Sequence, residues 1–538
     1  MKNEISGNIL NAFNRHILFL ILFLSTVTLL FILPSLNKYI LFIFSFISLL
    51  YCAYILFGDS KGIRHALLLM PVIAVIFFYC FISLSSFYPK NFIPSKNTSV
   101  TLYSGKNYYN FLAASFKSGK LFMPIEPSEK LKSLNNPYDS QELNKNLDFK
   151  RFDYIIDLSY FKEKYYLYFG ITPVIMLYLP FQIITKHFLS DSSVTLFFGI
   201  LSFCMSLIIL KKIILKINKN ENKFLIEILS IMAAGLSSVV CYLITLSRVY
   251  EVAIIGGLFF ALLSFLFVIL YIDSLNVKGQ NIALFIAGLS IALAVGCRPF
   301  YAFAIFIQLY ILYKFIKKDF KKYIYYFFPI IIYAIILMAY NYLRFNSIFE
   351  FGGKYQLSVI EIYNWKISLK ETFSSIMKFI YYPPVYLSGF PYFSINYVIV
   401  RGKILEQVIG LLFTAPFLIV SMAVFWFCRD KSISIWHKKY IVGFFVIGIF
   451  ILVVVSTFGS IYRYAADFST YFIIPAVVMI FYLDSILKKN WKKILFQYMI
   501  MSLLLISIIF NCALVVSSSI NIMETNNPYI LYKLSKLL

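Results

Sequence analysis

Apolar runs of about 20 residues recur from one end of the chain to the other, separated by short polar turns. Each is long enough to cross the hydrocarbon core of a bilayer as a helix. Spans are expected over Ile17–Leu33, Tyr39–Phe57 and Ala66–Phe87. After a long polar interval they resume at Val194–Leu215, Phe224–Ser247, Val252–Ile272, Ile282–Cys297, Tyr301–Phe315 and Tyr325–Leu343. A second polar interval precedes Ile404–Phe427, Tyr440–Phe458, Phe468–Leu483 and Ile494–Val516. The pattern predicts an all-α polytopic membrane protein with about 13 crossings. A β-barrel would show shorter segments of alternating polarity.

The segment Leu167–Leu189 is apolar but carries Pro173 and Pro180, and counting it as a crossing would break the alternation of charge. It is therefore expected to be an interfacial or re-entrant helix. Upstream, Tyr108, Phe111, Leu112 and Phe116 recur at helical spacing, which suits a short helix lying on the membrane surface. The resulting segments are 1–87 (N-terminal spans), 88–190 (first loop with surface helices), 191–343 (central bundle), 344–403 (second loop) and 404–538 (C-terminal spans and tail).

Composition agrees: 61% of the 538 residues are hydrophobic and only 14% are charged, where soluble chains carry roughly a quarter charged. The net charge of +25 does not point to nucleic acid, because the basic residues fall in short runs between spans. About 23 of the 49 basic residues lie in the loops expected to be cytoplasmic. That bias places the N-terminus inside, both long loops outside and the C-terminus outside, as in a bacterial inner membrane. The seven cysteines lie in or beside apolar spans, so no disulfide framework is expected. Asn97-Thr98-Ser99 matches a glycosylation sequon too short to carry weight.

Charges beside a bilayer are costly and usually placed for a reason. Four outer turns carry them: LSRVYE (Arg248, Glu251), CRP (Arg298), YLRFNSIFEFG (Arg344, Glu350) and YRYAADF (Arg463, Asp467). The first long loop adds Asp153 and Asp157, four apart and so on one side of either a helix or a strand. Guanidinium groups suit bidentate capture of phosphate. A neighbouring carboxylate suits a general base, or a ligand for a divalent cation such as Mg or Mn. The plainer reading is that each Arg–carboxylate pair is a local salt bridge closing a span end. No phosphate-binding Gly-rich loop, HExxH or GxSxG occurs, and the spans hold almost no mid-membrane charge, which weakens an ion-coupled transporter.

The layout resembles the GT-C superfamily of multi-spanning glycosyltransferases. YYLYFGITPVIMLYLPFQIITKHFL looks like the aromatic and Pro-bearing interfacial helix of family 39-type protein-mannosyl and aminoarabinose transferases, and SGKNYYNFLAASFKSGKLFMP like the helix before it. The resemblance implies transfer of a sugar from a polyprenyl-phosphate carrier to a glycan or lipid acceptor on the extracytoplasmic face. Asp157 would be the base with Asp153 as substitute. Arg298, Arg344 and Arg463, with Arg248, would hold the lipid phosphate, and Glu251, Glu350 and Asp467 would position the arginines or a cation. One departure stands out: such proteins usually carry an acidic pair just before the first surface helix, where this chain reads Ser104-Gly105. Either the acid has moved to Asp153 or Asp157, or the chemistry differs. A polysaccharide polymerase or O-antigen-ligase-like protein, or a lipid or solute transporter, are the alternatives.

Overall fold

The computed structural model describes residues 63–83, 107–148, 153–217, 224–274, 276–316, 319–358, 367–388, 393–400 and 404–526. The first two expected spans, the sequon, Ser104-Gly105 and the end of the C-terminal tail lie outside them. The first described helix is α1 (Ile63–Ser83), followed by α2 (Tyr108–Lys117), α3 (Glu129–Lys132) and α4 (Ser140–Asn146). A hairpin of β1 (Ser159–Phe161) and β2 (Lys164–Tyr166) leads through a π-turn at Val174–Tyr178 into α5 (Leu179–Thr185). Then come α6 (Asp191–Ile217), α7 (Phe224–Leu236), α8 (Val240–Leu246), α9 (Val249–Asp273), α10 (Val277–Val295), α11 (Ala302–Ile316) and α12 (Phe320–Phe345).

The second loop contributes α13 (Leu369–Ile380) and two hairpins, β3 (Val385–Tyr386) with β4 (Phe393–Ser394) and β5 (Asn396–Val400) with β6 (Ile404–Val408). After α14 (Leu411–Thr414), a 3₁₀ stretch Pro416–Ala423 and α15 (Val424–Arg429), the chain ends in α16 (Ile435–Ser456), α17 (Ala465–Ile486) and α18 (Asn490–Asn526). Among the described residues, eight helices are long and apolar enough to cross a membrane. The fold is that of a multi-pass helical membrane protein.

α9 is the axis of the bundle. It is apolar on every side, so it has no face to turn outward, and Glu251 through Tyr271 are all buried. It packs against α6, α10, α11 and α17. Two adjacent glycines, Gly256 and Gly257, let neighbouring side chains approach its backbone. A Cβ on Gly257 would meet the Tyr301 ring at 2.8 Å and Arg298 Cγ at 3.3 Å, so the bare backbone there makes the seat for the turn between α10 and α11.

Two expectations are corrected. The span proposed over Ile404–Phe427 begins later, because Ile404–Val408 is a strand paired with Asn396–Val400 and the apolar helical stretch is Pro416–Arg429. Alternating side chains on a β-hairpin read, by apolar count alone, like the start of a span. The apolar face of α2 is not a free surface either. Tyr108, Tyr109, Phe111 and Leu112 are all buried, with α2 packed against the π-turn and α5. Leu167–Leu189 holds only Val174–Thr185 as helix, about 18 Å of rise, too short to cross a hydrocarbon core of about 30 Å.

The two long loops are sewn together. Asp157 N donates to Leu357 O and Leu357 N to Leu158 O, both at 2.9 Å, and Ser159 Oγ donates to Gly352 O at 2.7 Å. Behind them Gly170 lies directly against Gly296, whose carbonyl oxygen would be 1.9 Å from any Cβ at 170. Arg344 clamps the same segment from α12, its Nη1 donating to Leu167 O at 2.6 Å. These contacts fix the first loop over the ends of α9, α10 and α17.

Candidate functional site

The site grows from the first turn of α9. Glu251 reaches back to accept the Arg248 backbone N–H at 2.9 Å, an N-terminal cap that fixes the turn. That turn directs Tyr250 out of the bundle, where its hydroxyl donates to Asp157 Oδ2. Gln356, from the second loop, donates to the other oxygen, Asp157 Oδ1, at 3.0 Å. Asp157 itself sits at φ +60, a left-handed turn that short polar residues tolerate. Burial pushes its carboxyl above the usual carboxylate range, while the Tyr250 and Gln356 hydrogen bonds and the charges of Arg463 and Arg248 pull against that rise.

Arg463 lies over the Tyr250 ring, 4.6 Å from its centroid, and reaches Glu406 on β6 at 3.5 Å. The 3₁₀ turn Tyr462–Tyr464 that carries it leads directly into α17. A second arginine shares the Tyr464 ring: Arg463 and Arg298 sit 5.6 and 5.5 Å from its centroid. Arg298 donates from Nη2 to Asp467 Oδ2 at 2.6 Å, and Asp467 is fully buried. Tyr168 stands in the field of Asp157, Tyr464, Arg298 and Arg463, and its ring is 4.1 Å from that of Phe169. Phe169 in turn meets Tyr250 edge-on at 5.2 Å. Segments far apart in sequence thus converge at one end of the bundle: the first loop, the start of α9, the turn after α10, the start of α17, and Gln356 and Glu406 from the second loop and β6.

The expected local pairs are partly exchanged. Arg248 and Glu251 do meet, at 3.9 Å. Arg463 and Asp467, four residues apart, do not pair with each other; Arg463 turns to Glu406 and Asp467 to Arg298. The 3₁₀ turn displaces Arg463 from the helical register in which the two would share a face. Arg344 is buried and held by Leu167 O, by Asn341 Oδ1 at 2.8 Å and by the Tyr340 ring at 3.8 Å. Glu350 accepts the Gly352 and Lys354 backbone N–H groups at 2.6 and 3.3 Å, closing its own loop. Both therefore shape the second loop where it meets the first.

Asp153 and Asp157 do not share a side. Asp153 takes the Lys130 ammonium at 2.9 Å and the Asp148 backbone N–H at 3.0 Å, whereas Asp157 faces Tyr250. The left-handed residue at 157 breaks the regular spacing that their four-residue separation assumed.

Tyr250, Tyr464, Glu406 and Gln356 join the cluster without having been singled out. The first two stand inside the LSRVYE and YRYAADF turns already marked for their arginines. Glu406 lay in a stretch read as a span, and Gln356 is a loop residue with no local signal. Several buried polar atoms in the cluster have no partner: Arg298 Nε, Arg463 Nε, Asp467 Oδ1 and Glu251 Oε1. Buried polar groups are normally satisfied, so these atoms are places where water or a bound anion or hydroxyl would be held. Each carboxylate faces an arginine or a tyrosine rather than another acid. Among the described residues no group of three or more His, Cys, Asp or Glu could share a metal ion. No protein-family model matches the chain, and no curated protein or solved structure shows significant similarity to it.

Proposed function

We propose that this chain is a membrane glycosyltransferase of the GT-C type, working on a polyprenyl-phosphate sugar at the extracytoplasmic face of a bacterial inner membrane. In that reading the N-terminus is cytoplasmic, the chain crosses about 13 times and the C-terminus lies outside. The observation that carries it is Asp157: a carboxylate of raised proton affinity, held by the Tyr250 hydroxyl, with Arg463 beside it at a bundle end.

Asp157 takes the proton of the acceptor hydroxyl as that oxygen attacks the anomeric carbon. The bond from that carbon to the phosphate oxygen breaks, the configuration inverts, and the lipid phosphate leaves as an anion. A base of raised pKa is better matched to a hydroxyl proton near neutral pH than an ordinary carboxylate. Arg463 and Arg298 face the leaving phosphate, where guanidinium donors meet its developing charge. Tyr250 orients the base, and Tyr168 and Tyr464 offer ring faces to the sugar.

The test is transfer by the purified, lipid-reconstituted chain from labelled polyprenyl-phosphate sugars to added glycan or lipid acceptors. Asp157→Asn is expected to lower the rate by about 10² to 10⁴-fold, and Arg463→Gln to raise the KM for the donor. Full transfer by both Asp157→Asn and Asp467→Asn would remove the site assignment. Turnover of a lipid-pyrophosphate glycan in place of the monophosphate donor would favour a polymerase or ligase.

A further inference from the structure

The 12-residue helix α13 has three faces at 100° per residue. Thr372, Ser375 and Phe379 form one and are buried against the bundle. Phe379 meets Phe468 edge-on at 5.3 Å, and α13 packs along α16. Lys370, Glu371, Ser374 and Lys378 form the second face. Leu369, Phe373 and Met377 form the third, continued by Tyr381, and are 84%, 62%, 42% and 66% exposed. The arrangement is inverted relative to a helix docked on a water-soluble core. Apart from Phe379, its buried face is made of small hydroxyl side chains, while Leu369, Phe373 and Met377 face away.

What covers that face follows from its surroundings. α16, the neighbour, is long and apolar enough to cross a membrane and presents Val446, Ile449 and Val453 outward. The exposed apolar surface therefore runs on from a membrane-length helix to α13. At about 18 Å, α13 is too short to cross, and its lysines border the apolar stripe as in helices that lie in the interface and meet anionic headgroups.

We propose that α13 is an in-plane lipid anchor, its Leu369–Phe373–Met377 stripe seated at the acyl boundary of the leaflet on the candidate-site side. Phe379 touches Phe468, the residue after Asp467, so the anchor sets how deep the Arg298–Asp467 pair lies beneath the headgroups.

The test uses the full chain in vesicles of phosphatidylethanolamine and phosphatidylglycerol, with an environment-sensitive fluorophore on Phe373→Cys and, separately, on Met377→Cys and Glu371→Cys. Background from the native cysteines is measured on the unsubstituted protein. Lipids bearing a shallow nitroxide are expected to quench the labels at 373 and 377 several-fold more than aqueous iodide does, with the order reversed at 371. Iodide quenching of all three labels to the same extent would overturn the proposal. So would protection at 373 and 377 that is insensitive to nitroxide lipid and disappears on dilution of the protein in lipid, because a second copy of the chain would then cover the stripe.

Discussion

Two arginines share one tyrosine ring and are themselves held in different ways. Arg298 pairs at 2.6 Å with an Asp467 that no solvent reaches. Arg463 pairs at 3.5 Å with a Glu406 that is partly exposed and rides on a surface hairpin. Removing one partner of a buried pair leaves an uncompensated charge and costs several kcal/mol. A longer contact whose carboxylate keeps some access to solvent costs less to break. The first pair is therefore a fixed part of the bundle, and the second is one that an incoming anion can displace. A phosphate would reach Arg463 by exchanging with Glu406, while Arg298, already neutralised by Asp467, would offer its free edge.

The largest effect that tests this contrast is Arg298→Gln, expected to cost about 3–5 kcal/mol by stranding the Asp467 carboxylate, read as a fall in the unfolding midpoint in detergent. Next comes the seat of that arginine. Gly257→Val places a side chain against Tyr301 and Arg298 and is expected to cost about 1–3 kcal/mol through overpacking.

Asp157 gives a third, pH-dependent effect. Its carboxyl is raised in the folded chain, so its contribution is fully present below the ordinary unfolded carboxylate pKa and is lost as pH rises through the elevated folded value. Wild-type stability should therefore fall across that window relative to Asp157→Asn, and the same window should carry the rising limb of any activity that uses Asp157 as a base. A flat difference between the two proteins would show that Asp157 titrates like a solvated acid.

The smallest effect belongs to Glu406→Gln. It is expected to change stability by no more than about 1 kcal/mol while lowering the KM for an anionic donor. A loss as large as that from Arg298→Gln would collapse the distinction between the two pairs.

The sequence made the helical spans and the arginine-bearing turns readable because each is a local signal: an apolar run, or a charge at its end. Partner choice was not local. Asp467 lies four residues from Arg463, yet its partner is 169 residues away at Arg298. The β1–β2 hairpin was hidden for a related reason. Lys162 and Glu163 occupy its left-handed turn positions, where a Gly or Asn would have advertised the turn. Amphipathic spacing likewise could not say which apolar face meets lipid and which meets protein. α2 and α13 both have the spacing, but only α2 has its apolar face covered, by the π-turn and α5.

The stitching of the two long loops also sets an order of assembly. Asp157 and Ser159 must wait for Gln356 and Gly352, whose contacts close over 199 and 193 residues. At about 5–20 residues per second of synthesis, that is a delay of roughly 10–40 s during which the first loop waits without its partner strand. Asp467 emerges later still, so the cluster is among the last parts of the molecule to form. A chain released early could hold α6, α9 and α10 and still have no site, which makes the integrity of this end a readout of whether insertion ran to completion.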